Sequence, residues 1–563
     1  MSKLKRNKNS SAEVGADHGH LRAGVAKSDI TTSEKGVKIK DPLYAKALVL
    51  DDGKTKAVII AMDVTAIGGR KISQGMLPDV GEDFLPNLRN RIQKELKIPG
   101  CNVLVNASHT HPPGRMLCSD DEQVDRTFDA VRRAMENMIE VKIGAGVGHE
   151  DRISINRNLR LKNGKQWAIR HSNPCPPDEE VESLGPMDPE IGIIRIDRMD
   201  GRPLAVVYNF ACHPLFGDSQ GRITANFPGV ASRVIEENLG GGVMALFLQG
   251  AAGDICDVFF KDFNSPRNVE QIGTTLGLST LKALRTIGTK DAKLDVVSET
   301  IRLPRRTDIP ERIKALQEDQ NKLLESLRFT CLNFKSFLPL YIKYGLTSSI
   351  ERNRISNIKV GGHFCPPNRG LENPRSVEKL THGHDYETTS KPEYPLDYSY
   401  RYIQAEKTGS YEFTAMDSLN RKNIGKYLNN INAMEKLTRI QDDIATLEKH
   451  QEINSDSGED TIEAEVQGIK IGDCVLITAP FEALVEIGLN VKKASPYKHT
   501  FMAAYSNGYM HYGAPAADYD KGGYEVTECM LALEWQHIYE QQVREIMCKL
   551  GSPKSQSSHR MKD

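Results

Sequence analysis

The sequence predicts an α/β fold: a mixed β-sheet core flanked by helices and interrupted by a partly helical insertion. Three observations predict it. Apolar runs of strand length alternate with amphipathic segments of helical period from residue 21 to about 304, as expected of a sheet covered by helices. From about 305 to 460 the chain changes to charged helical stretches around a middle rich in Tyr, Pro and His. From 461 the strand and helix pattern resumes, so the core is expected in two parts, 21–304 and 461–550, with polar tails at 1–20 and 551–563 expected to be disordered.

In order along the chain, "YAKALVLDD" and "TKAVIIAMDVTAIG" read as neighbouring strands turned at Asp52-Gly53. "LPNLRNRIQKELKI" is an amphipathic helix that stops before Pro99, and it feeds the strand "CNVLVNAS". "DRTFDAVRRAMENMI" is the next helix, and "EVKIGAGVGHED" is a strand with glycine breaks. "EIGIIRIDRMDGRPLAVVYNFACHP" is a hairpin about Asp200-Gly201 whose second strand runs into His213. A helix, "FPGVASRVIEENLG", precedes the buried strand and glycine-rich turn "GVMALFLQGAAGD". After the insertion, "EAEVQGIKIGDCVLITAP" is a hairpin turned at Gly472-Asp473, "FEALVEIGLNVKKAS" a helix and "HTFMAAYSNG" a buried strand, followed by the tyrosine-rich loop "YMHYGAPAADYDKGGYE".

Composition narrows the function. Lys and Arg total 74 against 75 Asp and Glu, which gives no electrostatic reason to expect nucleic acid or an anionic membrane as partner. The polar start "MSKLKRNKNSSAEVGADHGH" is neither a secretory signal nor an anchor, and no run is long and apolar enough to span a membrane. Ten cysteines without a CxxC pair are expected to be reduced thiols, which places the chain in the cytoplasm. His363, Cys365, His382 and His384 in the insertion have no regular metal-ligand spacing and are expected to be ordinary loop residues.

The chemistry concentrates where strands stop. In "VLVNASHTHPPG" an apolar strand ends in His109 and His111, which alternation along an extended segment would place on one face, with Pro112 ending the ladder. Such a pair can close on a metal ion or a reacting carbonyl; each ring can equally cap a backbone carbonyl. His213, Glu482 and a tyrosine cluster also emerge from the ends of predicted strands, as in a site assembled across the top of a sheet. Two histidines and a carboxylate suit zinc, which in catalytic sites keeps a position for water.

Four elements together resemble the neutral/alkaline non-lysosomal ceramidases, zinc amidases that cleave the N-acyl bond of ceramide. "SHTH" is similar to that family's THTH, "YNFACHP" to NWFAxHP, "PFEA" to PGEF, and "NGYMHYGAPAADYDKGGYE" to NxYxxYxTxxEEYxxxxYE, in the family's order. The resemblance covers 21–525 apart from the insertion. It implies that His109, His213, Glu482 and Tyr512 hold Zn2+, with His111 beside them to hydrogen-bond the reacting oxygen. It further implies that Arg157, in "INRN", steadies the developing oxyanion, that zinc hydroxide attacks the amide, and that Tyr512 or His111 protonates the amine. Tyr509, Tyr519 and Tyr524 are expected to pack around or support the site.

The departures bear on substrate. In "QGAAGDICDV" Cys256 stands where ceramidases carry a serine proposed to be catalytic; it is read as a pocket wall in preference to a covalent nucleophile. Asp254, in the same turn, is expected to orient a zinc-bound group or cap the turn. Residues 170–190 and the insertion are unlike the ceramidase stretches that line a lipid groove, and the family's C-terminal immunoglobulin-like domain has no counterpart after the tyrosine loop. The expected activity is therefore a zinc-dependent hydrolase of ceramide or a related N-acyl lipid. The alternatives are a zinc hydrolase of another amide or ester and a non-catalytic ligand-binding relative.

Overall fold

The computed structural model describes residues 20–70, 79–111, 117–169, 176, 178–215, 221–259, 268–327 and 418–551. His363, Cys365, His382 and His384, the middle of the insertion, Pro112 to Gly114 and both tails beyond these limits lie outside the described residues. Along the chain the strands are β1 (Arg22–Asp29), β2 (Tyr44–Asp51), β3 (Lys56–Met62), β4 (Val103–Ala107), β5 (Ile139–His149), β6 (Ser154–Asn156), β7 (Asn158–Leu161), β8 (Gln166–Ala168), β9 (Val181–Leu184), β10 (Glu190–Arg198), β11 (Pro203–Phe210), β12 (Met244–Gln249), β13 (Ile255–Asp257), β14 (Leu294–Pro304), β15 (Thr461–Ile471), β16 (Cys474–Thr478), β17 (Glu482–Ala483), β18 (His499–Ala503) and β19 (Tyr512–Gly513).

The chain divides into two compact units. The first, Met1–Asn158 with Leu184–Arg306 and Ser457–Asp563, is built on an eight-stranded sheet in the order β12-β11-β10-β5-β1-β2-β3-β4. Its two outer pairs, β12 with β11 and β3 with β4, are parallel and the rest antiparallel, so the sheet is mixed. The hairpins fall where the turn residues place them, with Gly53 at φ +83° and Gly201 at φ +84°, a backbone region that suits glycine.

Both faces of the central strands are buried, and the alternation along them shows why. Ala45, Ala47 and Val49 of β2 join one apolar cluster with Val58 and Ile60 of β3. Leu48, Leu50, Ala57 and Ile59 join another, on the opposite face, with Leu476 and Phe501. This second face meets the sheet β14-β15-β16-β18. The first face is covered by the helices Phe84–Arg91 and Asp120–Glu136, the latter started by a capping box between Ser119 and Glu122. Helices Asn226–Leu239 and Val269–Leu284 cover β10, β11 and β12.

The second unit, Leu159–Ser183 with Thr307–Asp456, contains the helices Ile309–Leu327 and Ser418–Ser457 and the small sheet β8-β7-β9. Within it the Arg439 guanidinium lies 3.9 Å from the centre of the Trp167 ring, a cation–π contact. Leu159–Ser183, which the strand and helix pattern places in the core, is therefore clustered with the inserted region. Among the described residues no helix is long and apolar enough to cross a membrane.

Candidate active site

β4 delivers the first two imidazoles, though not by strand alternation. The strand ends at Ala107, and His109 adopts φ +62°, so the segment is not extended where the sequence reading supposed it to be. That left-handed residue turns the His109 and His111 rings toward each other, edge to face with centroids 4.4 Å apart. The turn is held by backbone bonds from Ser108 N to Met62 O at 2.9 Å, His109 N to Val64 O at 3.0 Å and His111 N to Pro214 O at 3.2 Å. β11 runs into His213, whose ring centroid is 4.7 Å from that of His109. Gln249, at the end of β12, ties the two arms together. Its amide donates to Ser108 O at 3.0 Å and Cys212 O at 2.9 Å, the carbonyls just before each histidine.

Glu482 arrives on a two-residue strand paired in parallel with Tyr512. The helix expected from Phe481 begins instead at Val485, because Glu482 N is bonded to His511 O at 2.8 Å and that ladder holds the segment extended. Gly253 sits where a Cβ would come within 2.7 Å of Glu482 O; a side chain there would push the carboxylate's backbone away. His109, His213 and Glu482 are each almost fully buried.

Proton positions follow from the partners. His109 Nδ1 faces Thr65 O at 2.7 Å and His213 Nδ1 faces Ala252 O at 2.5 Å. A carbonyl only accepts, so each Nδ1 carries the hydrogen and each Nε2 presents a lone pair. Those lone pairs meet another acceptor: Glu482 Oε2 lies 3.0 Å from His213 Nε2 and 3.4 Å from His109 Nε2. Acceptors facing acceptors in a buried place are satisfied by a positive charge between them, carried by a proton or by a metal ion. His111 Nε2 is 2.9 Å from His109 Nε2, and one nitrogen from each of His109, His111 and His213 lies within 4.8 Å of the others.

Burial pushes His213 down to about 4 and, with His109 and His213 nearby, holds His111 well below the ordinary histidine value, so both are neutral at pH 7. Burial alone would raise Glu482, but positive charge shared with it by His109 and His213 holds its carboxyl well below the usual range. Its second oxygen, Oε1, accepts a hydrogen bond from Tyr509 Oη at 2.5 Å. Neutral imidazoles with an ionised carboxylate form the donor set that zinc takes.

Arg157 stands beside this cluster, fully charged. Its Nε donates to Glu525 Oε1 at 2.6 Å, and Nη2 donates to Gly253 O at 2.6 Å and Tyr512 Oη at 3.0 Å. Burial would lower its pKa, yet Tyr512 and Glu525 hold it well above the ordinary value. Nη1 meets Cys256 Sγ at 3.8 Å. Tyr512 is thus joined to Glu482 through the β17 and β19 ladder, while its hydroxyl is engaged by Arg157. Burial raises Cys256 to about 12 despite Arg157, so the thiol keeps its proton. Asp254 acts within the scaffold: Oδ1 accepts from Val485 N at 2.8 Å and Oδ2 from Asn156 Nδ2 at 2.7 Å.

The structure brings His109, His111, His213, Glu482, Tyr509, Tyr512, Arg157 and Cys256 together and puts Asp254 in the turn beside them, whereas the Tyr519 hydroxyl is engaged elsewhere, donating to Leu531 O at 2.7 Å. It adds Gln249, Glu525, Thr65 and Tyr505. Gln249 carries a faint signal, a polar residue closing the apolar run "MALFLQ", and Glu525 closes the tyrosine-rich motif; Thr65 and Tyr505 are visible only through partners distant in sequence.

No protein-family model and no curated protein matches the chain. Solved structures do. One, a neutral ceramidase from Pseudomonas aeruginosa, superposes with a TM-score of 0.52 at 16% identity over 94% of this chain and 74% of its own. This chain has a neutral-ceramidase-like fold. A second structure of that fold, a ceramidase complexed with C2, gives a TM-score of 0.54 at 17% identity, over 94% of this chain and 75% of its own. Within the ceramidase-like fold of this chain, His109, His213, Glu482 and Arg157 project from the ends or connections of strands, where sheet-built sites form.

Proposed function

We propose that this chain is a zinc-dependent amidohydrolase acting on an N-acyl lipid or a related amide. One observation carries the reading: two buried imidazole nitrogens with lone pairs converge on a buried carboxylate oxygen at 3.0 and 3.4 Å, an arrangement that a divalent cation satisfies. His109, His213 and Glu482 would hold the ion, with His111 and Tyr512 next to them. Zinc, when bound, supplies a Lewis acid and lowers the pKa of its water to about 7.

The chain's own residues supply the rest. Arg157 is a permanent charge fixed by Glu525 and Gly253 O, suited to an oxygen that becomes negative as the amide is attacked. Burial raises Tyr512 far above its ordinary value, so it keeps a proton that can pass to a departing amine. Cys256, protonated at neutral pH, lines the wall and offers no thiolate. The likeness to ceramidase structures and the motifs around these residues support an amide substrate. The serine position occupied by Cys256 favours testing short N-acyl amines beside ceramides.

Metal analysis of the purified chain is expected to find about one zinc per chain, as a single catalytic site requires. His213→Ala is expected to lose it. A screen of N-acyl sphingosines against short N-acyl amines then assigns the substrate. Zinc retained in His213→Ala, or no cleavage of any amide or ester by the zinc-loaded chain, overturns the proposal.

A further inference from the structure

Tyr505 has features that the metal cluster does not require. It is fully buried, yet its hydroxyl has no hydrogen-bond partner among the described residues. Its backbone is left-handed at φ +56°, and it is pinned there by Ala107 N donating to Tyr505 O at 3.0 Å and by Tyr505 N donating to Phe481 O at 3.3 Å. Those two bonds tie it to the segments that carry His109 and Glu482. The ring lies over the His109 imidazole, with centroids 4.3 Å apart and planes 35° from parallel.

A phenylalanine would fill the same space without a buried, unsatisfied hydroxyl, which is unfavourable because the group has given up water and gained nothing among the described residues. A left-handed backbone is a further cost for a bulky residue, because its Cβ crowds the neighbouring carbonyl oxygen. Two unfavourable terms at one residue touching a site are the signature of a group that completes its bonding when something enters. The ring also stands edge to face with that of His213, centroids 6.2 Å apart, so the phenol is set against both imidazole arms of the site. Burial pushes this phenol well above its ordinary value, and Glu482, Arg157, Asp254 and Cys256 are the groups whose charge acts on it next. Arg157 faces the wall that Cys256 lines: its Nε and Nη2 are engaged at 2.6–3.0 Å, while among the described residues Nη1 meets only the Cys256 sulfur, at 3.8 Å.

We propose that Tyr505 is a substrate-binding residue, its hydroxyl and Arg157 Nη1 together receiving the acyl oxygen of the scissile amide over Cys256. The inference rests on the hydrolase reading and assigns a role within it. The ligand class follows from the donors: a carbonyl or carboxylate oxygen, which only accepts, meets a phenolic O–H and a guanidinium N–H.

Tyr505→Phe in the full, zinc-loaded chain tests it. The expected result is a fall in kcat/KM of about 10- to 100-fold, mostly in kcat because charge on that oxygen grows in the transition state. Zinc content is unchanged, and the melting temperature without ligand is equal or higher. Hexanoate, a carboxylate probe of the product, is expected to raise the melting temperature of the parent more than that of the variant. Equal kcat/KM with an equal hexanoate response overturns the proposal, as does a lower melting temperature of the unliganded variant, which would mean that the hydroxyl is bonded within the fold. If the parent binds zinc but cleaves nothing, the hydrolase reading falls, and the hexanoate response alone then decides whether Tyr505 receives an oxygen ligand.

Discussion

Replacing Tyr509 by phenylalanine removes one hydrogen bond and keeps the ring that packs over Gly69. The bond matters because of its acceptor: Tyr509 Oη donates at 2.5 Å to Glu482 Oε1, while the other oxygen of that carboxylate faces both imidazoles. With Oε1 released, the carboxylate can rotate about its own axis and Oε2 is no longer held on the His109 and His213 nitrogens. A hydrogen bond to a charged group contributes about 1.5–3 kcal/mol. At about 1.4 kcal/mol per factor of ten, that corresponds to roughly 10- to 150-fold. Supporting partners of metal ligands typically account for about 10- to 100-fold in affinity, which agrees. We therefore expect Tyr509→Phe to bind zinc about 10- to 100-fold more weakly. Competition against a chelator of known zinc affinity measures it, with circular dichroism confirming that the variant is folded. A folded variant whose zinc affinity stays within about two-fold of the parent would refute the reasoning, because a ligand released from a bond of this kind must cost more than that.

Other consequences can be measured as directly. Cys256→Ala is expected to keep most of the hydrolytic activity, since burial holds the thiol near 12 and no thiolate is present at working pH; loss of all turnover in a folded, zinc-loaded variant would require the sulfur in the chemistry. Burial raises Asp63 to about 7 from an ordinary 3.8, against the nearby Lys46. The folded chain therefore holds a proton that the unfolded chain has already lost, and this contribution to stability is complete below about pH 4 and disappears as pH rises to about 7. Asp63→Asn keeps an acceptor for Tyr44 N without that linkage, so its stability relative to the parent should improve from pH 4 to 7 and then level off. Melting temperatures that run parallel for the two proteins across that range would contradict this.

Much of the site is legible in the sequence because buried strands are easy to see and their ends are where function accumulates. "VLVNASHTH", "AVVYNFACHP" and "VLITAPFE" each show an apolar run stopping at a residue able to bind a metal, and His109, His213 and Glu482 do meet. Strand alternation does not bring His109 and His111 together: a left-handed residue does. That conformation depends on bonds from Val64, Met62 and Pro214, none of them local. The same holds for Glu525. It closes a motif as one more acidic residue, and only the fold places it 2.6 Å from Arg157, 368 positions earlier.

The sequence by itself determined the α/β class, the strands that carry the site histidines and Glu482, and the identity of the groups that could bind a metal. Those properties follow from local hydrophobic period, turn residues and side-chain chemistry, each readable within a few residues. Only the tertiary structure decided which lone pair faces which carboxylate oxygen, that Gln249 spans the two histidine arms, and that the Tyr505 hydroxyl is buried without a partner among the described residues. Hydrogen bonding and desolvation are set by atoms a few ångströms apart in space, and for this site those atoms come from segments up to 400 residues apart in the chain.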